Sequence, residues 1–344
     1  MARAAKKGRI TMGNPLKHLE SAASAMSGQA VRQSWVGDGT PAWGPLNNFD
    51  RSQTAVQARL SSVVSQLEEL RRTNKWLQKD NERMHNELEA GARVQQALVP
   101  KQAPEVSGAE FAWRYAPCCE LGGDILDVVR LDDHRVGIYL LDVSGHGTAS
   151  ALLSVSLSRL LSHMSDDSLL FRHGQSGKED SVLTPAEVAR CLNNRFQMDP
   201  DSPQYFTLVY GILDIESLEF RYVAAGHPGP LVLRGDDNAK LCSSSALAVG
   251  WFPDTQFEEA TLQLRPGDRL YLFSDGVVDA EAPNGQDFDT GRLTRCLGSA
   301  RSLPLGKSLD QVLEAVERWC DGQGPDDDVS LVAVEIPTHG KSAK

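Results

Sequence analysis

Between Val56 and Leu88 the chain repeats an alternating step of four and three: Val56, Leu60, Val63, Leu67, Leu70, Asn74, Leu77, Asn81, Met84, Leu88. This is a heptad register, with Leu60, Leu67, Asn74, Asn81 and Leu88 at a and Val56, Val63, Leu70, Leu77 and Met84 at d. Strands repeat every second residue, so the segment must be helical. Glu68, Glu69, Arg71, Arg72 and Lys75 occupy the outer face. Asn at a is unfavourable to bury, but two such residues hydrogen-bond across a pair and select a parallel, in-register dimer. A lone amphipathic helix lying on the rest of the chain would carry a similar stripe; the length of the register favours a coiled coil over residues 54–98. Gly91 interrupts the seam at a d position, and Pro100 stops the helix.

Residues 1–53 are rich in Gly, Ser, Ala, Pro and Asn without periodicity and are expected to form a flexible tail. Trp35 and Trp43 stand out in it, either as a docking motif or as part of a bland tail. After Pro104 the pattern becomes mixed. Apolar, β-prone runs occupy 111–115, 125–131, 136–143, 205–213, 218–224, 269–273 and 329–336, and helical patterns 148–164, 185–196 and 309–320. The second helical pattern opens on Thr184-Pro185-Ala186-Glu187, a capping box with Pro at the first helical position. Runs as close as 208–213 and 220–224 imply hairpins and antiparallel sheets. The predicted organisation is a tail (1–53), a coiled-coil helix (54–98), a domain over 99–337, and a short tail (338–344).

The 344 residues carry a formal net charge of −11, which argues against a nucleic-acid binder with its basic face. The six cysteines form no C-x-x-C pair and read as reduced thiols. No apolar run follows the basic N-terminal residues, and none approaches the roughly 20 residues of a membrane span, so a cytoplasmic protein is expected.

Four carboxylate motifs interrupt the β-prone runs: Gly122-Gly123-Asp124, Asp142-Val143-Ser144-Gly145-His146-Gly147, Ser274-Asp275-Gly276 and Asp326-Asp327-Asp328-Val329-Ser330. Each puts a short, rigid carboxylate at a strand end beside residues that permit tight turns. One Asp-Gly pair is ordinarily a turn. Four such motifs converging would repel one another unless a hard cation neutralised them, and Mg²⁺ or Mn²⁺ suits oxygen ligands.

With Arg93–Pro100, Ala225-Gly226-His227-Pro228 and Pro266-Gly267-Asp268, these motifs form an ordered set over residues 92–336. The set resembles the PPM-type (protein phosphatase 2C-like) metal-dependent serine/threonine phosphatases of the SpoIIE/RsbU branch. The resemblance implies an α+β fold, a sandwich of two antiparallel β-sheets flanked by α-helices, here preceded by the coiled-coil helix. It implies two bound Mn²⁺ or Mg²⁺ ions held by Asp124 and Asp142 with the Val143 carbonyl, and Asp275 and Asp327 completing the first ion's shell. It further implies hydrolysis of phosphoserine or phosphothreonine without a covalent phosphoenzyme, on a bacterial signalling protein such as an anti-anti-sigma (STAS-type) factor. His146 is a candidate general acid or a turn-packing residue, and His227 a structural hydrogen-bonding residue. Asp328 sets its own loop by turn hydrogen bonding. The arginine that clamps phosphate in eukaryotic relatives has no assigned match, Arg114 being a strand residue of undetermined direction. The competing reading is a catalytically silent phosphatase-like scaffold, which loss of a ligand Asp would mark. A nucleotide cyclase is excluded because Ile125-Leu126-Asp127 follows Gly-Gly-Asp.

Overall fold

Alternate residues of β3 (Arg135–Val143) enter two different cores, and this period of two builds the architecture. Val136, Ile138 and Leu140 face one way and meet Leu270, Leu272, Val332 and Val334 of a second sheet. Tyr139, Leu141 and Val143 face the other way, against Leu157, Val188 and Leu192 of two helices. In this computed structural model residues 46–145, 147–162, 167–172, 181–199, 204–235, 239–243 and 246–338 are described.

The first sheet has the order β1-β12-β11-β8-β9: β1 (Glu110–Ala116), β12 (Val329–Glu335), β11 (Arg269–Phe273), β8 (Leu231–Leu233) and β9 (Lys240–Leu241). The second runs β10-β7-β6-β3-β2, with β10 (Ala260–Gln263), β7 (Glu219–Ala225), β6 (Phe206–Asp214) and β2 (Ile125–Arg130), and β4 (Phe171–Arg172) pairs separately with β5 (Ser181–Val182). Their ladders are antiparallel. Helices α2 (Thr148–Leu160) and α3 (Pro185–Arg195) cover the outer face of the second sheet, which closes the Tyr139–Val143 core. A one-turn helix α4 (Asp275–Val278), α5 (Asp289–Ser299) and α6 (Leu305–Trp319) supply the third core, where Val277, Leu293, Leu309 and Val312 meet Tyr271, Phe273 and Leu331. The expected sandwich of antiparallel sheets flanked by helices is the fold observed. Leu140 and Leu272 are almost wholly buried in its centre, and truncating either to Ala costs about 2–5 kcal/mol.

The capping box closes as the sequence implies: the Glu187 N–H donates to Thr184 Oγ1 and the Thr184 N–H to Glu187 Oε2. Several helix limits move. The 148–164 pattern ends as helix at Leu160, and the last pattern begins at Leu305 instead of 309. Helix α5 escaped the sequence reading because Gly291 and Gly298 dilute it; only Leu293 and Leu297 bury a face.

The chain divides into two compact units, Met1–Lys75 and Trp76–Lys344. Residues 1–45 of the expected tail, with Trp35 and Trp43, lie outside the described residues, as does the end of the chain from residue 339. Helix α1 (Leu46–Gln96) begins before the expected residue 54. In the first unit Val56, Leu60, Val63, Leu67 and Leu70 of its stripe are exposed. In the second unit Leu77 and Met84 are exposed as well, but the stripe then changes partner: Leu88 and Ala92 pack on Leu121 and Ala151. Gly91 does not break the helix, which continues to Gln96.

Candidate active site

Strand alternation also explains why the four aspartates meet. Leu126 and Leu140 point between the sheets, so Asp124 and Asp142, each two residues along, point there too. Leu272 and Val332 do the same in the other sheet, which directs Ser274 and Ser330 inward and places Asp275 and Asp327–Asp328 at the same rim. The registers Ile125↔Leu141 and Phe273↔Leu331 bring these strand ends level. Asp124 is buried, Asp142 and Asp275 are half-buried, and Asp327 is exposed.

The electrostatics report the same convergence. Burial, then the charges of Asp275, Asp327 and Asp328, push the Asp142 carboxyl up to about 7. Asp124 is held well above the usual carboxylate range by burial and by Asp142, with the Ser330 and Ser274 hydroxyls offsetting part of it. Asp124 Oδ2 is buried without a hydrogen-bond partner. An orphaned carboxylate oxygen in a crowd of carboxylates fits a hard divalent cation with oxygen ligands. The Val143 carbonyl lies beside this group: a Cβ added at Gly123 would sit 2.8 Å from it and 3.4 Å from Asp142 Oδ1. Gly123 is therefore required by close approach.

Asp328 does more than set its own turn. Its Oδ2 accepts the N–H of Gly123 at 2.7 Å and of Asp124 at 3.2 Å, and its Oδ1 accepts the Cys118 N–H at 2.9 Å. It thereby fastens the loop carrying Asp124 to the start of β12. Asp327 Oδ1 accepts the Asp328 N–H at 2.8 Å. From the other side, buried Gln95 of α1 donates to the Gly122 carbonyl at 2.7 Å and accepts its N–H at 3.1 Å, while also donating to Ser154 of α2 at 3.0 Å. Gln95 falls within the Arg93–Pro100 segment of the resemblance but carries no assigned role in the sequence; a glutamine at an a position of a fading heptad is the available signal.

His146 lies outside the described residues. His227 is buried, with Nδ1 3.0 Å from the Pro228 carbonyl and Nε2 unpartnered; burial lowers its pKa to about 4, against the pull of nearby Asp275. Arg114 turns away from the aspartates: it donates to Asp310 Oδ1 at 2.6 Å and to the Trp113 and Gly306 carbonyls. Cys118 Sγ lies within 4.8 Å of carboxylate oxygens of Asp327 and Asp328. Burial and the Asp328 charge push its thiol up, so it is a poor nucleophile.

Two antiparallel sheets between helical layers, with aspartates gathered at one rim, define the PP2C class of fold. The SiaA-PP2C domain of Pseudomonas aeruginosa shares it, with a TM-score of 0.60 over 74% of this chain and 98% of that one, at 17% identity. The crystal structure of the RsbU and RsbW domains of Rv1364c from Mycobacterium tuberculosis aligns at 27% identity and a TM-score of 0.55, covering 70% of this chain and 64% of that one. Residues 132–337 match the family model described as Stage II sporulation protein E (SpoIIE), more than half of the sequence, and the chain belongs to that family. The phosphoserine phosphatase RsbP of Bacillus subtilis (strain 168) is 28% identical over 222 residues, 64% of this chain and 51% of that protein. The chain spans about half the length of the curated relatives it matches. Among the described residues, no helix is long and apolar enough to cross a membrane.

Proposed function

We propose that this chain is a metal-dependent serine/threonine protein phosphatase acting on a bacterial signalling phosphoprotein in the cytoplasm. The observation that carries the reading is the orphaned Asp124 Oδ2, with Asp142 and Asp328 acting on its carboxyl and Asp275, Asp327 and Asp328 acting on that of Asp142. Asp124 and Asp142 with the Val143 carbonyl would hold two Mn²⁺ or Mg²⁺ ions, and Asp275 and Asp327 would complete the shell of one. Such ions supply neutralisation of phosphoryl charge and acidification of water. The protein's own contribution is rigid placement: Asp328 and Gln95 grip the Asp124 loop from opposite sides, and Ser274 and Ser330 lie against the buried carboxylate. Burial and the Asp328 charge hold the Cys118 thiol protonated, and His227 is buried with Nδ1 against the Pro228 carbonyl, so neither offers a covalent route. A phosphorylated anti-anti-sigma (STAS-type) protein is the proposed substrate, in keeping with a relative named as a phosphoserine phosphatase. The exposed stripe of α1 supports a parallel homodimer through its coiled coil.

The test is hydrolysis of a phosphoserine peptide and of p-nitrophenyl phosphate with Mn²⁺ or Mg²⁺. EDTA should stop it, and Asp275→Asn should abolish it while the circular-dichroism spectrum is kept. Turnover that survives both would overturn the two-ion mechanism.

A further inference from the structure

The loop before β10 presents apolar side chains to water: Leu247, Trp251 and Phe252 are 49%, 42% and 55% exposed. Trp251 stacks on Tyr205, with ring centroids 5.1 Å apart and planes at 5°, and on Phe252 at 6.2 Å and 23°. This platform is built on a buried polar anchor. Asn193 of α3, 1% exposed, donates to the carbonyls of Phe252 at 3.0 Å and Pro253 at 3.1 Å, and accepts the Gly250 N–H at 2.8 Å. The Gly250 carbonyl accepts the Met198 N–H at 2.9 Å, and its φ of +90° makes the turn that turns the rings outward. A buried amide thus commits three hydrogen bonds to fixing a loop whose aromatic rings stay out of the core.

The platform adjoins the aspartates. The ladder Asp142↔Thr207, Val143↔Phe206 continues one step, where the Ser144 N–H donates to the Tyr205 carbonyl at 2.9 Å and the Tyr205 N–H to Ser144 Oγ at 3.1 Å. Two residues along a strand and one strand across put the Tyr205 backbone about 8 Å from that of Asp142. A macromolecule with its phosphoryl group at the aspartates therefore covers Tyr205 and Trp251. Among the described residues the rim offers no cationic grip: after burial, the charges that act most on Asp124 and Asp142 are those of other carboxylates, and Arg114 is committed to Asp310. Affinity for a phosphoprotein must then come from contacts away from the phosphate, and stacked aromatics are the side chains that anchor protein interfaces.

We propose that Tyr205, Trp251, Phe252 and Leu247 form the docking surface for the phosphoprotein substrate, taking apolar side chains that lie about three or four extended residues from the phosphoserine. This rests on the phosphatase reading above. The experiment uses the full chain with Mn²⁺ and three probes: p-nitrophenyl phosphate, a phosphoserine peptide with a Leu-Phe pair four residues from the phosphoserine, and the same peptide with Gly-Ser there. The expected result is an approximately tenfold higher kcat/KM for the Leu-Phe peptide, lost in Trp251→Ala/Phe252→Ala and reduced in the milder Phe252→Ser, which keeps the Tyr205–Trp251 stack. The ratio of peptide to p-nitrophenyl phosphate efficiency should fall by the same factor, and thermal melts check that both variants fold. No preference in the wild type, or one retained in both variants, overturns the docking surface while leaving the phosphatase reading intact. A change of oligomeric state in the variants at unchanged peptide preference would overturn it in favour of an interface between copies. Absence of p-nitrophenyl phosphate turnover in the wild type brings down the phosphatase reading itself, and the docking proposal with it.

Discussion

Asp328 Oδ2 accepts the Gly123 N–H at 2.7 Å across 205 positions of sequence, and this bond ties the loop of one sheet's first aspartate to the first strand residues of the other. With the bonds to Asp124 and Cys118, three backbone donors depend on one carboxylate. Asp328→Ala leaves them unpaired, at about 1–3 kcal/mol for a buried donor. The melting temperature should fall by roughly 5–10 °C for a domain of this size, with metal-dependent turnover lost alongside. Calorimetry with and without Mn²⁺ checks this; an unchanged melt would show that water replaces the carboxylate without cost.

The aspartate cluster makes the metal-free protein pH-sensitive in a defined direction. Asp142 is raised to about 7 by burial and neighbouring carboxylates, so the folded state holds a proton that the unfolded chain, near the ordinary carboxylate value, releases. Between those two values stability falls as pH rises. In EDTA, the melting temperature contribution of this site should therefore increase from pH 8 to pH 6. Asp124→Asn should raise the pH 8 melt in EDTA and abolish stabilisation by Mn²⁺; a variant still stabilised by Mn²⁺ would remove Asp124 from the ligand set.

Two residues four apart on α1 should respond with opposite signs. A methyl group added at Gly91 meets Leu121 Cδ2 at 3.6 Å and Cδ1 at 3.9 Å, ordinary contacts, so Gly91→Ala should stabilise by up to about 1 kcal/mol through helix propensity. Gln95→Ala strands the N–H and carbonyl of Gly122 and should cost about 1–3 kcal/mol. Denaturant titration of both variants at unchanged m-value distinguishes these effects.

The exposed stripe predicts a self-associating chain. Sedimentation at micromolar concentration should give a dimer, and Leu60→Glu with Leu67→Glu should give a monomer, because both a positions would bury charge in the seam. Asn74→Leu with Asn81→Leu should change the oligomer order. A monomeric wild type would reduce the stripe to the outer face of a lone helix.

The sequence alone determined what repeats or punctuates locally. The heptad announced the long helix, apolar β-prone runs announced seven of the strands, Thr184–Glu187 announced a helix start, and Asp beside Gly at strand ends announced carboxylates at a rim. These signals span a few residues and survive without knowledge of the partner. Only the tertiary structure decided which face each partner covers. It turned Leu88, Ala92 and Gln95 from coiled-coil positions into contacts of the second unit. It committed Arg114 to Asp310, 196 positions away, and made Asp328 an anchor for a distant loop. It also recovered α5 from a glycine-diluted stretch, since burial of Leu293 and Leu297 offsets poor propensity. In each case the deciding partner lies far off in sequence, where antiparallel register and the sides of a sheet, not local pattern, set what touches what.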